Sequence, residues 1–230
     1  MSADPITEPS TLPQQDPIDL LIAFEEASEV PIRPEYFEGM GIVPPQPDDE
    51  HNHEAAELYF QLRSAGIRLA GFGNGYRIGR RGGKTIALAI PDFYVRRRRP
   101  SDLDESYRKA HKGWYPIEML SLVGEVTSSN HETDTGPKYR SYAAAEVPVY
   151  VLLHRQQGKA FAYSDPVREE DPAKAHYATK VEVELGRSLP LPAPYPALDT
   201  AFLVADAGDA GDAGDAGDAG DETGDADRSE

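Results

Sequence analysis

Cysteine is absent from the 230-residue chain, so disulfide bonds, thiolate chemistry and zinc–thiolate sites are excluded. Long apolar runs are absent as well, because no stretch approaches the roughly 18 residues that a membrane-spanning helix needs. The first segment, MSADPITEPSTLPQQDP, has neither the basic part nor the apolar part of a secretory signal peptide. We therefore expect a cytoplasmic protein that has no membrane partner.

Basic residues are in deficit, with 23 Lys and Arg against 40 Asp and Glu and a net charge of −17. The imbalance is concentrated after residue 205, where an Ala-Gly-Asp triplet repeats and ten acidic residues accompany one basic residue. The rest of the chain is only mildly acidic, at −8. A body of this charge can bind nucleic acid only through a local basic patch or through bound cations.

Composition divides the chain into three parts. Residues 1–17 carry four prolines among small polar residues and predict a disordered leader. Residues 205–230 contain no apolar side chain larger than alanine, so they predict a disordered acidic tail. Residues 18–204 alternate between helix-like and strand-like runs, which predicts one α/β or α+β domain with a mixed central β-sheet flanked by helices.

Several runs within the domain have distinct signatures. EHNHEAAELYFQLRSAG predicts the strongest helix, and DTGPKYRSYAAAE predicts a second helix that begins near Asp134. TIALAIPDF, LSLVGEVTSS and VPVYVLL predict buried strands, and KAFAYSD with HYATKVEVELGRSL predicts an antiparallel pair. The glycine-rich GFGNGYRIGRRGG predicts a hairpin, because neither a helix nor Gly-Lys-Ser/Thr follows it as a nucleotide-binding loop requires.

Two carboxylates stand where hydrophobic side chains are expected. Asp92 follows the strand of IALAIPD, Glu125 lies in the apolar run LSLVGEV, and Lys138 follows in the next helix. Two carboxylates and an ammonium suit metal-assisted hydrolysis, since Mg²⁺ takes one or two protein carboxylates and a substrate phosphate. The spacing alone also fits a turn-capping aspartate, a half-exposed glutamate and a surface lysine.

The order of these motifs resembles that of the Uma2 family, a branch of the PD-(D/E)XK nuclease superfamily also called DUF820. The resemblance rests on IPDFYV and on LVGEVTSSNHETDTGPKYRSYAAAEVPVYVLL, which contain the family's Pro-Asp, Glu-Val-x-Ser, Asp-x-x-x-Lys-Tyr-x-x-Tyr and Val-Pro-x-Tyr elements. Upstream, PEYFEGMGIVPPQPDDEHNHEAAEL resembles the family's glutamate, turn and histidine. The similarity extends over about residues 18–204.

This resemblance implies a restriction-endonuclease-like core and a set of site residues. It implies Asp92 and Glu125 as ligands of Mg²⁺, or of Mn²⁺ in its place, and Lys138 as the residue that acts on the attacking water. It implies Glu35 as a further catalytic carboxylate, carried by the first helix. The family often has an aspartate where this chain has His154, which departs from the pattern.

Other candidates keep two interpretations each. Arg96 begins the run RRRR, and strand alternation predicts that it shares a face with Asp92, where it would contact nucleic acid. The alternative is that these arginines are solvated or pair with the acidic run SDLDES that follows. Asp134 is expected to cap the helix of Lys138 or to orient that lysine. His51 is the family's histidine by resemblance, although His53 fits nearly as well and a polar role at the helix start is an alternative.

We therefore expect a Mg²⁺-dependent endonuclease that hydrolyses phosphodiester bonds, with DNA as the expected partner. The alternative is a catalytically inactive binding module that retains the nuclease fold. A third hypothesis gives the acidic tail an interaction role of its own. Cleavage of both strands of a duplex needs two sites, so a homodimer is a candidate assembly.

Overall fold

The computed structural model describes residues 16–79, 83–129 and 131–203. The helices are α1 (Pro17–Ala27), α2 (Asp49–Ser64), α3 (Asp102–Ala110), α4 (His131–Thr133) and α5 (Tyr139–Ala144), with a π-helical segment at Asp134–Lys138 and 3₁₀ turns at Ile117–Met119, Arg155–Gln157 and Pro172–Lys174. The strands are β1 (Glu35–Phe37), β2 (Met40–Ile42), β3 (Ala70–Gly71), β4 (Tyr76–Gly79), β5 (Thr85–Ala89), β6 (Phe93–Arg96), β7 (Tyr115–Pro116), β8 (Leu120–Val126), β9 (Val149–His154), β10 (Lys159–Val167) and β11 (His176–Glu184).

The strands form two mixed sheets. The larger has the order β11-β10-β9-β8-β6-β3, and its parallel pair is β8 with β9. The smaller has the order β2-β1-β5-β4-β7, and its parallel pair is β4 with β7. The predicted mixed α/β class is confirmed, and the larger sheet is the predicted mixed sheet with helices on its faces.

The larger sheet is covered on both faces, which explains why its central strands are nearly continuous apolar runs. On one face, Leu58 and Leu62 of α2 pack against alternate residues of the strands, including Leu122 and Val151. The other face packs against α5, where Tyr142 is fully buried. Any polar side chain on the central strands must therefore find its partners inside the protein.

The short strand β1 corrects one expectation from the sequence. Glu35 is not carried by the first helix, because α1 ends at Ala27 and Glu35 begins a hairpin of β1 and β2. Glu38 and Gly39 form the turn of this hairpin, both with positive φ. The strand β1 pairs with β5 of the smaller sheet, which brings Glu35 to the end of the segment that leads to Asp92.

The helix around Lys138 differs from its prediction in its start and its geometry. It begins at His131 rather than near Asp134, and residues Asp134–Lys138 are π-helical. Pro137 lies inside this segment and lacks the amide hydrogen that an α-helical bond would use. The wider π turn accommodates this loss, and such bulges are frequent at functional sites.

The helix α3 was not predicted from the sequence. It begins with a capping box, in which Ser101 and Asp104 exchange hydrogen bonds between side chain and backbone. The signal for this cap is the serine of SDLD followed three residues later by an acidic residue. Asp104 also pairs with Arg98, which is the pairing of the arginine run with acidic residues considered above.

The predicted leader and tail lie almost entirely outside the residues that the structure describes. The leader and the acidic tail, with the tail's hypothetical interaction role, lie outside the described residues except for Asp16 and Pro17. Those two residues begin α1, because the Asp16 side chain accepts a hydrogen bond from the Ile18 amide. In the ranges that the model describes, no helix has the length and apolar content to cross a membrane.

A prediction concerns Gly124, which faces Phe93 across the antiparallel pair of β8 and β6. A Cβ atom at position 124 would lie 2.0 Å from Cζ of the buried Phe93 ring. We expect Gly124→Ala to lower the free energy of unfolding by about 1–3 kcal/mol, the usual cost of overpacking. Urea denaturation followed by circular dichroism measures it.

The control for this prediction is Gly136→Ala, where the nearest atom to a new Cβ lies 3.6 Å away. We expect this change to cost less than Gly124→Ala, because the crowding it adds is confined to the following Pro137, whose ring disfavours helical backbone at the residue before it. Trimming the ring with Phe93→Leu should restore part of the stability that Gly124→Ala loses. Equal loss in the two glycine variants would contradict the packing explanation.

Candidate active site

Lys138 lies at the centre of a buried cluster of charged side chains. Its Nζ lies 3.0 Å from Oε2 of Glu125, 3.2 Å from Oε2 of Glu35 and 3.3 Å from Oδ1 of Asp134. All four side chains are at most one-tenth exposed. An ammonium group has three protons to donate, so each carboxylate can accept one.

Three different elements supply these carboxylates. Glu125 is the penultimate residue of β8, Glu35 is the first residue of β1, and Asp134 lies one turn before Lys138 in the π-helical segment. Glu35 also accepts a hydrogen bond of 2.6 Å from the amide of Ile90, which fixes its carboxylate beside the end of β5. The cluster thus joins the two sheets and the helix.

Asp92 completes the group from the start of β6. One of its oxygens, Oδ2, accepts a hydrogen bond of 2.8 Å from the amide of Val126, immediately after Glu125. The other, Oδ1, lies 3.2 Å from Nε2 of His51 on α2. Asp92 is therefore held by both β8 and α2, and its side chain is 21% exposed, the most open of the four carboxylates.

Tyrosines behind the cluster hold it in position. Tyr142, four residues after Lys138, donates a hydrogen bond of 2.6 Å to Oε1 of Glu125. Tyr150 donates one of 2.9 Å to the carbonyl of Asp134. The sequence analysis included Tyr142 only as part of a family motif and assigned it no role. Its (i, i+4) spacing from Lys138 is the signal that the two side chains share a helix face.

The protonation states follow from burial and charge. Burial raises the pKa of the Glu35, Glu125 and Asp134 carboxyls, and the neighbouring ammonium offsets this only in part. Burial alone would lower the pKa of Lys138, but these carboxylates together raise it well above its ordinary value. The raised pKa favours the protonated form of Lys138, in which its charge can stabilise negative charge on a ligand.

His51, rather than His53, contacts the site. Burial lowers the pKa of His51, but its hydrogen bond to Asp92 and the charge of that residue raise it more, with a net increase. His53 is exposed, and its ring contacts Phe202 instead. The structure thus brings to Asp92 the histidine that the family resemblance indicated, and His51 orients one oxygen of that carboxylate.

Arg96 does not reach this cluster. It is the last residue of β6, at the opposite end of the strand from Asp92, so about 13 Å of strand separate the two. Its guanidinium donates hydrogen bonds to the hydroxyls of Tyr76 and Tyr94. The expectation that Arg96 faces the site is wrong because a shared strand face does not imply a shared position along the strand.

Asp134 does not cap a helix as one of its two predicted roles required, and His154 stands where the family often has an aspartate. Asp134 caps no helix, because the helical segment already includes the three residues before it, and its carboxylate contacts Lys138 instead. His154 is buried at the end of β9 beside His131, with ring centroids 5.2 Å apart. His154 contributes no carboxylate to the site.

A cavity of about 360 Å³ opens onto these residues. It is lined by the four carboxylates, by Lys138 and His51, and by a rim that includes Arg33, Asn52, Phe72 and Ser128. Asp92 and Glu125, 33 positions apart in the sequence, therefore face one space. A phosphate group entering this cavity would meet both carboxylates and the ammonium.

The carboxylate oxygens in this cavity are ligands of the kind that a hard divalent cation prefers. Within the described ranges, no three His, Asp or Glu side chains are arranged to hold a metal by themselves. Each oxygen of Asp92 and Glu125 has one protein partner, which leaves one lone-pair direction per oxygen for a further ligand. Two such carboxylates fit Mg²⁺, which keeps waters and accepts substrate oxygens for its remaining positions.

Comparisons with known proteins give the family and the fold of the chain. A family model described as "Uma2: Putative restriction endonuclease" matches residues 23–202. The fold is similar to the crystal structure of "a putative nuclease belonging to DUF820" from Anabaena variabilis, with a TM-score of 0.51 and 17% sequence identity over 80% of this chain and 97% of the other. No curated protein matches the chain.

A second prediction concerns the lysine itself. Lys138→Met leaves three buried carboxylates without their cation, and we expect the free energy of unfolding to fall by about 3–5 kcal/mol at neutral pH. Lys138 lowers the pKa of each carboxyl, so its removal raises these pKa values further above the ordinary range, and the variant loses more stability than wild type as the pH rises through that range. The deficit relative to wild type should therefore be larger at pH 8 than at pH 5, as measured by thermal denaturation.

Lys159→Met is the matched control, because Lys159 pairs with Glu182 at the surface. Removal of such a pair costs about 0–1 kcal/mol and should add no comparable pH dependence. A Lys138→Met deficit that is small, or the same at both pH values, would contradict the buried charge network.

Proposed function

This chain belongs to the Uma2 family, and from that premise we propose that it is a Mg²⁺-dependent endonuclease that hydrolyses phosphodiester bonds in DNA. One observation carries the proposal. Asp92 and Glu125 meet at a single cavity, and Lys138 is held against it as a cation. These are the groups that metal-assisted hydrolysis of a phosphodiester requires.

Each side chain has a distinct part in the proposed reaction. Asp92 and Glu125 would hold Mg²⁺, or Mn²⁺ in its place, and the chemistry gained on binding would be a more acidic coordinated water and compensation of negative charge on the phosphate. The three protons of Lys138 face Glu35, Glu125 and Asp134, so its proposed contribution is positive charge that stabilises the phosphate as negative charge accumulates there. Glu35 keeps the ammonium of Lys138 charged and in position, since their atoms lie 3.2 Å apart.

The charge of the cavity supports a requirement for a cation before the substrate can bind. Four carboxyl groups face the ammonium of Lys138 and one histidine at the centre of the cavity, with Arg33 at its rim, so the centre repels a phosphodiester to the extent that the carboxyls are ionised. Cleavage of both strands of a duplex by one such site per chain needs two chains, and we propose a homodimer for that case. A single chain is sufficient for nicking one strand.

The alternative is a nuclease-fold binding module without catalytic activity. One observation favours it: all four carboxylate oxygens of Asp92 and Glu125 already have a protein partner. A module of this kind uses the network for stability alone. It does not bind Mg²⁺ at these residues.

A third prediction tests catalysis. Wild type incubated with Mg²⁺ or Mn²⁺ should nick supercoiled plasmid or cut single-stranded circular DNA, as read on agarose gels. Asp92→Asn should lower the rate at least 100-fold, because a neutral amide holds a divalent cation far less well than a carboxylate. Glu182→Gln, on the surface hairpin of β10 and β11, is the control and should cut like wild type.

Metal binding separates the two functions. Titration calorimetry with Mn²⁺ should give a saturable heat for wild type, and Glu125→Gln, which keeps a side chain of the same shape, should abolish it. Equal DNA cleavage by wild type and Asp92→Asn would refute the proposed active site. Absence of both cleavage and saturable metal binding in folded wild type would establish the inactive module.

A further inference from the structure

The rim of the cavity contains an exposed aromatic side chain beside an exposed arginine. Phe72 is 64% exposed and lies in the loop between β3 and β4. Arg33 lies in the segment before β1, and its guanidinium donates a hydrogen bond of 2.7 Å to the carbonyl of Gly73. Phe72 and Arg33 thus lie together at the entrance of the cavity that contains Asp92 and Glu125.

Exposure of one phenylalanine is ordinary by itself. Phe60 on α2 is equally exposed, at 64%, but it is not part of this cavity. What distinguishes Phe72 is its position within the same cavity as the two carboxylates. Its ring lies nearly perpendicular to that of Tyr59, with the centroids 5.2 Å apart, so one side is supported and the remainder is open.

The loop that carries Phe72 is held in place by buried groups. Asn74 donates a hydrogen bond of 2.6 Å to the Tyr94 hydroxyl, which itself donates one of 3.3 Å to the carbonyl of Phe72. The Tyr94 ring also lies so close to Gly71 that a Cβ atom there would be 2.8 Å away. A ring presented on a fixed loop loses little conformational entropy when a ligand binds.

Arg33 is the accessible cation of this cavity. Lys138 also lines it, but it is buried and surrounded by three carboxylates. Arg33 is exposed, and within the described ranges it lies within 4 Å of no carboxylate. Its charge is therefore free to meet a phosphate outside the negative centre of the site.

We propose that Phe72 and Arg33 form the entry site for a single-stranded or locally unpaired stretch of nucleic acid, with Phe72 stacked on a base and Arg33 on a backbone phosphate. This inference rests on the proposed nuclease function and names its substrate class. Only an unpaired base can offer its face to a ring on the rim of a cavity. Aromatic stacking beside a cation is the usual combination in proteins that bind single strands.

The test measures binding separately from cleavage. A fluorescein-labelled oligothymidylate of about twelve nucleotides, and the same strand paired with oligodeoxyadenylate, are titrated with protein while fluorescence anisotropy is recorded. Ca²⁺ replaces Mg²⁺, and gels verify that the probe stays intact. We expect wild type to bind the single strand more tightly than the duplex.

Variants assign the preference to the two side chains. Phe72→Ala should weaken binding of the single strand about 5- to 100-fold, and Phe72→Tyr should largely restore it. The control is Phe60→Ala, which should bind like wild type. Arg33→Gln should lower the slope of log affinity against log salt by about 0.7, whereas Arg63→Gln, another exposed arginine that donates to a backbone carbonyl, should not.

Failure of this inference and failure of the proposed function give different results. If wild type cuts DNA and Phe72→Ala binds the single strand like Phe60→Ala, the entry site is refuted and the nuclease remains. If Phe72 governs single-strand binding but no metal supports cleavage, the entry site stands and the nuclease is refuted. A wild type that binds neither probe, or prefers the duplex, also overturns the inference.

Discussion

The structure depends on one ammonium group shared by three buried carboxylates. Lys138 contacts Glu35, Glu125 and Asp134, each from a different part of the chain, at 3.0–3.3 Å. Charges so deeply buried are tolerated only when they are paired, so this cluster requires the β1 hairpin, the end of β8 and the π-helical turn to meet. The same requirement positions Asp92 beside Glu125, because the amide of Val126 holds its carboxylate. The stability of this region and the geometry of the candidate active site therefore have the same origin.

The three carboxylates determine which catalytic role is open to Lys138. A lysine with a lowered pKa could accept a proton from water, but the three carboxylates raise the pKa of Lys138 well above its ordinary value. Its proposed contribution is therefore positive charge and orientation. The charge of Lys138 is shared among three carboxylates at the centre of the cavity, whereas the charge of Arg33 is accessible at the rim.

Local patterns were sufficient for much of the fold, whereas the family resemblance, and not the spacing, indicated the residues that line the cavity. The apolar strands ending at Asp92 and containing Glu125, and the helix with Lys138, were recognised from periodicity and motif order, and the mixed α/β class and the family were confirmed. Errors arose where position depends on tertiary contacts. The helix assigned to Glu35 is a strand, because a hairpin partner decides its conformation. Arg96 was placed by strand alternation, which defines a face but not a location along it.

Other features could not have been found from the chain alone. The four-residue spacing of Asp134 and Lys138 was visible, but the π-helical turn between them follows from Pro137 in its tertiary setting. Arg33 and Phe72 are 39 positions apart and carry no motif, and their proximity is visible in the cavity that both line and in the hydrogen bond from Arg33 to Gly73.

The central claim is that Asp92 and Glu125 form a single divalent-metal site beside Lys138. Anomalous scattering from a crystal of the wild-type protein soaked in Mn²⁺ tests it most directly. Our account predicts one strong anomalous peak within bonding distance of both carboxylates, with Lys138 adjacent to it. A peak that contacts neither residue, or an occupied Mn²⁺ site elsewhere with none in this cavity, would contradict it.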